Sequence, residues 1–126
     1  MLAESKKSEK YNELLKKAIK QVQAKGYHDI KTKLSGFDDP NGFSQKKEDN
    51  EYIPDITAVN NKGKNYFEIA EKTKDVTKLV SKWKLLATIA AMKNGQFTIL
   101  VPYGQNKFTE ELVEKHNINA RLVRLD

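Results

Sequence analysis

The sequence predicts an α/β domain with a mixed sheet and elements in the order α-β-β-β-α-β-α-β. Three observations carry this. Tyr11, Leu14, Leu15, Ala18, Ile19 and Val22 form a single apolar stripe at helical spacing. Two strand-like runs, Ile53 to Val59 and Lys64 to Ala70, are joined by Asn60-Asn61-Lys62-Gly63, whose residues tolerate the left-handed backbone of a tight hairpin. A long apolar-faced segment then ends at Gly95 and is followed by the β-branched run Phe97 to Val101.

Taken in order, the first helix is capped by Ser5 or Ser8 and stopped by Gly26. His28 to Leu34 alternates loosely and reads as a strand. Residues 35–50, SGFDDPNGFSQKKEDN, combine glycines, a proline and polar side chains and read as a long surface loop, a kind that is often functional. After the hairpin, a helix runs from Asp75 or Val76 to Asn94. Its face of Val76, Leu79, Val80, Trp83, Leu86, Ala87, Ala90 and Ala91 marks it as well buried, and Trp83 reads as core. Asn106 or Thr109 opens a third helix to His116, and Ala120 to Leu125 forms the last strand. No repeat or linker divides residues 1–126, so a single domain is expected.

The chain has 126 residues, 38% hydrophobic and 32% charged. That length supports a real core, and the regular apolar spacing argues against disorder. The absence of cysteine excludes a disulfide scaffold, a cysteine zinc site and a thiol nucleophile. The two histidines, His28 and His116, are too few for a histidine-rich metal site and read as structural. No apolar run reaches the roughly 18 residues of a membrane span, and MLAESKKSEK contains no segment of signal-peptide type. A soluble, cytoplasmic protein without a membrane partner is expected.

The net charge is +6, and every basic residue except Arg121 and Arg124 is lysine. Lysine is a mobile point charge, so a nucleic-acid partner would be held through its backbone rather than read at its bases. A lysine-rich coding bias is the other source of the same composition. Residues 1–35 and 56–84 are basic, while 36–55 are acidic, with Asp38, Asp39, Glu48, Asp49, Glu51 and Asp55. Such a segment either holds a metal ion between phosphate-binding surfaces or is a solvated loop. Lys74, Lys78 and Lys82 recur every four residues, which is either a phosphate track or a wet helix face.

The chemistry centres on Asp55 and Glu68. A turn centred between Asn61 and Lys62 places them directly opposite each other across the hairpin, with Cβ atoms about 5 Å apart. Two like charges so placed repel unless a cation is shared, and Mg²⁺ is commonly held by one or two carboxylates with substrate phosphate oxygens. The alternative is a pair of edge carboxylates facing water. Both are expected on the outer face of the sheet, at the mouth of a cleft near residues 36–50. Phosphodiester cleavage also wants a lysine beside the second carboxylate. Lys72 shares the face of Glu68 and Ala70, with its Cα about 13 Å beyond that of Glu68. It is either that lysine or a solvated strand end.

Pro54-Asp55 on the second strand, an acid on the third, the segments YIPDITA and YFEIA, and Trp83 in SKWKLLATIAA resemble the PD-(D/E)XK nuclease superfamily over about residues 5–125. The resemblance implies a restriction-endonuclease-like three-layer sandwich with a mixed central sheet. It implies a Mg²⁺- or Mn²⁺-dependent endonuclease with Asp55 and Glu68 as metal ligands and catalytic residues, DNA as partner, and a homodimer in many members. The family's third motif is acid-any-lysine, and here Ala70 stands where the lysine belongs. Lys72 is assigned the role, with Lys78 or Lys82 reaching in from the second helix as the other source. Lys74, Lys78 and Lys82 are assigned to DNA. Some members add a glutamate from the first helix, but Glu9 and Glu13 lie opposite its apolar stripe and are not given that role. The rival reading is a catalytically inactive nuclease-fold module that binds DNA or a protein partner, and a third is a plain protein-interaction domain.

Overall fold

The computed structural model describes residues 2–44 and 51–125, with side chains for 9–43 and 51–125. Helix α1 (Leu2–Ala24) is followed by β1 (His28–Thr32), β2 (Phe43–Ser44), β3 (Glu51–Tyr52), β4 (Ile56–Val59) and β5 (Lys64–Ile69). Then come α2 (Val76–Met92), β6 (Phe97–Val101), α3 (Asn106–Lys115) and β7 (Arg121–Arg124). The helix α1 begins ahead of both Ser5 and Ser8, so neither caps it. It closes as expected, with Gly26 at a φ of 87° after the last turn.

Five strands form an open mixed sheet in the order β1-β4-β5-β6-β7. β1, β4 and β5 pair antiparallel, while β5, β6 and β7 run parallel through the crossovers of α2 and α3. Asp29, at a φ of 50°, marks an irregularity in β1 where its register with β4 shifts. Alternation along the strands separates two apolar layers. Ile56, Ala58, Phe67, Ile69 and Leu100 pack with Leu15, Ala18, Ile19 and Val22 of α1. Tyr66, Ala70, Phe97, Ile99 and Val101 pack with Val80, Trp83, Leu86 and Ala90 of α2 and Leu112 of α3. Helices thus cover both faces, an arrangement compatible with a three-layer sandwich. No helix among the described residues is long and apolar enough to cross a membrane.

The segment 35–50 is not a plain loop. Phe43 pairs with Tyr52 and Ser44 with Glu51 in a second, two-stranded sheet. Its anchors are apolar: Tyr52 is buried, and Phe43 meets the Tyr66 ring edge-on at 6.0 Å between centroids. Residues 45–50, with Glu48 and Asp49 of the acidic run, lie outside the described residues.

The β4–β5 hairpin has the register its turn predicts, with Ile56 opposite Phe67 and Val59 opposite Lys64. The Asn60 side chain accepts from the N–H groups of Lys62 and Gly63, both at 3.1 Å, and so fixes the turn. The turn lies against the end of α2. Buried Asn65 donates to the Gly63 carbonyl at 3.1 Å and accepts from the Gln96 N–H at 2.9 Å. Gly63 and Gly95 permit this approach: a Cβ on Gly95 would overlap the Lys64 carbonyl oxygen, and one on Gly63 the Lys93 carbonyl oxygen. Because backbone rather than a flexible side chain stands in the way, Gly95→Ala is expected to lower stability by about 1–3 kcal/mol, read as a fall in the urea midpoint. An unchanged midpoint would show that the two backbones are not in contact.

Candidate functional site

Pro54 carries no N–H, so the β4 ladder gives way there. Beyond the last paired residues, Ile56 and Phe67, two side chains take over the bonding. The Asp55 N–H donates to Glu68 Oε2 at 2.8 Å. The Ile69 N–H donates to Asp55 Oδ2 at 2.7 Å. Each carboxylate thus accepts from the opposite strand's backbone, and the two acids face each other in spite of their like charge. The Asp55 carbonyl accepts from the Thr32 hydroxyl of β1 at 2.9 Å, and Asp55 Oδ1 accepts from the Tyr11 phenol of α1.

Glu68 points to the α2 side of the sheet. It is only 2% exposed, so it does not lie on an open outer face. The reason is Lys82, which reaches from α2 and sets its ammonium 3.1 Å from Glu68 Oε1. With Asp55, Glu71, Lys78, Tyr11 and Tyr52, the pair lines a cleft of about 250 Å³. Residues 36–43 do not line it; among the described residues near that segment, Tyr52 does.

The electrostatics follow from burial. Glu68, ordinarily near 4.5, is pushed up to about 8, first by burial and then by the Asp55 charge, against the opposing pull of Lys82 and the Asp55 N–H. Burial lowers Lys82, but the Glu68 and Asp55 charges and the hydrogen bond to Glu68 outweigh it, and the net direction is upward. Burial and the Asp55 charge thus favour the protonated form of Glu68, while the Lys82 ammonium and the Asp55 N–H favour the ionised one. Burial, then the Asp55 charge, raises the Tyr11 phenol well above its ordinary value, so it stays a donor.

The expected site residues thus divide. Asp55, Glu68 and Lys82 come together. Lys72 does not join them: it is exposed and is absent from the cleft wall, and its N–H is held by Gln105 Oε1 at 3.0 Å at the start of α3. Its distance along the strand carries it past the carboxylates. The expected lysine stripe is broken. Lys74 precedes α2, which starts at Val76 behind its cap Asp75, and Lys82 turns inward, leaving Lys74 and Lys78 exposed. Glu9 and Glu13 are exposed, as their position opposite the stripe required. Tyr11 was legible only as part of an apolar stripe; its place at the outer end of that stripe, with a hydroxyl, was the available signal.

Among the described residues no three or more His, Asp and Glu side chains gather as a metal cluster. Compared with known proteins, the chain matches no family model, no curated protein and no solved structure.

A pH dependence of stability follows. Between about 4.5 and 8 the folded protein holds the Glu68 proton more tightly than the unfolded chain does. Stability from this group is therefore full below about pH 4.5 and is lost as pH rises through about 8. Glu68→Gln has no proton to lose and should lack this decline in urea midpoints measured across the window. The same decline in the variant would assign it to another group.

Proposed function

We propose that the protein is a divalent-metal-dependent phosphodiester hydrolase acting on DNA, on a restriction-endonuclease-like fold. Asp55 and Glu68 are its metal ligands, and Lys82 supplies the cation that Ala70 lacks. The observation that carries the reading is the convergence of two facing carboxylates and one ammonium in a single cleft, from the entry to β4, from β5 and from α2. These are hard oxygen donors of the kind that hold Mg²⁺ with the help of water and phosphate oxygens, so the residues fit the ion. When bound, such an ion polarises a phosphate oxygen and acidifies a coordinated water. The chain's own residues do the rest. Asp55 is aimed by the Tyr11 phenol and the Ile69 N–H. Lys82, 21% exposed at its side chain, is close enough to the cleft to steady charge developing on a phosphate. Lys74 and Lys78 lie near the cleft's α2 wall, where exposed cations meet a phosphate backbone.

A specific observation also favours the inactive binding module. All four carboxylate oxygens already have protein partners: Tyr11 and the Ile69 N–H for Asp55, Lys82 and the Asp55 N–H for Glu68. The site is satisfied without an ion.

Calorimetric titration with Mn²⁺ and cleavage of plasmid DNA separate the two. The hydrolase reading expects Mn²⁺ binding that Asp55→Asn abolishes. It expects Lys82→Met to keep the Mn²⁺ site while cleavage falls about 10²–10³-fold, the usual loss for one charge-stabilising donor. Lys72→Ala should leave cleavage unchanged. An unmodified protein that takes up no Mn²⁺ and cuts nothing, yet binds DNA in a salt-dependent manner, would decide for the module.

A further inference from the structure

A second cleft, of about 340 Å³, opens at the carboxyl ends of β5, β6 and β7, and its walls include Lys10, Lys17, Glu71, Tyr103 and Arg124. We infer that this cleft binds a single strand of DNA leading to the Asp55–Glu68 site, with its cations on phosphates and Tyr103 stacked on a base. The inference rests on the DNA-acting reading above and adds the form of the substrate.

Three observations point this way. The first is charge: Lys10 and Lys17 stand on one face of α1, and among the described lining residues Glu71 is the acid that faces them, so the cleft suits a polyanion. The second is continuity. Glu71 lines both clefts, Ile69 lines the first and the adjacent Ala70 the second. Likewise Tyr11, which bonds Asp55, neighbours Lys10 in α1, so a chain lying over Lys17 and Lys10 arrives at the carboxylates.

The third is Tyr103, 97% exposed. A tight turn holds it out: the Gln105 N–H donates to the Pro102 carbonyl at 3.1 Å, and Gly104 takes a φ of 87° that only glycine adopts freely. The Gln105 side chain in turn accepts from the Lys72 N–H at 3.0 Å and ties this turn to the exit of β5. An aromatic ring on a fixed backbone beside a basic groove is the arrangement on which unpaired bases stack. A duplex keeps its base faces inside and offers such a ring nothing except at its ends, whereas its phosphates remain open to lysine. The ring therefore selects the single strand, and the cations set the strength of binding.

The test is fluorescence anisotropy with the full chain in EDTA, so that neither cleavage nor metal enters. The probes are oligo(dT) about fifteen nucleotides long and a duplex of equal length. Expected are tighter binding of the single strand, a loss of about tenfold for Tyr103→Ala on that strand with little change on the duplex, and near-full retention in Tyr103→Phe. Lys17→Ala should weaken binding to the single strand and reduce the slope of log affinity against log salt by about 0.7. Thermal melts of each variant verify folding. Equal affinity of Tyr103→Ala and the unmodified protein for oligo(dT), or a duplex bound as tightly as the single strand, would overturn the inference. Either result leaves the Mn²⁺ titration to judge the hydrolase reading on its own. No binding to either probe at low salt would overturn this inference and the DNA-acting reading together.

Discussion

Burying Glu68 is the constraint on which the rest of the arrangement turns. An unpaired carboxylate in a sheet interior costs several kcal/mol, and removing one partner from a buried pair costs about 3–5 kcal/mol. The molecule meets this from two sides. The Asp55 N–H, just before the paired part of β4, binds one oxygen, and Lys82 binds the other. Lys82 sits at the border of the apolar face of α2, one turn from Leu79 and Leu86. Its aim therefore fixes the rotation of the whole helix. With Lys82 on Glu68, Val80, Trp83 and Leu86 are committed to the sheet.

The far end of the hairpin is held by a different force. There Gly63 and Gly95 let backbone meet backbone, and Asn65 bridges the turn to Gln96. Charge fixes one end of the β4–β5 hairpin to α2 and close packing fixes the other. Register is thereby determined twice over. A one-residue slip would exchange the apolar faces of Phe67 and Tyr66 and would also take Glu68 away from Lys82.

The hairpin was legible in the sequence because a turn fixes register by geometry alone. Asn60 to Gly63 was enough to set Asp55 against Glu68. The source of the cation was not legible to the same degree. Lys74, Lys78 and Lys82 have one spacing and one residue type, and only the start of the helix at Val76 and its rotation over the sheet divide them into exposed and inward-facing. Tyr11 was hidden for the opposite reason: its ring belongs to the apolar stripe, and only the tertiary approach of α1 to β4 reveals what the hydroxyl bonds. The β2–β3 ribbon escaped because two-residue strands give no periodicity to read. Their sole marks were Phe43 amid polar residues and Tyr52 shortly before Pro54.

Ala70 and Lys82 are two halves of one solution. Ala70 is fully buried in the apolar cluster that contains Val80 and Trp83, so a lysine there would have to thread its stem through packed side chains. A second ammonium there would also stand close to that of Lys82, which already takes the place 3.1 Å from Glu68 Oε1. Here the cation comes from the helix, through Lys82. Delivered from the helix, it frees position 70 for a small side chain and lets α2 settle close to β5. The same contact that compensates the buried acid then also closes the core.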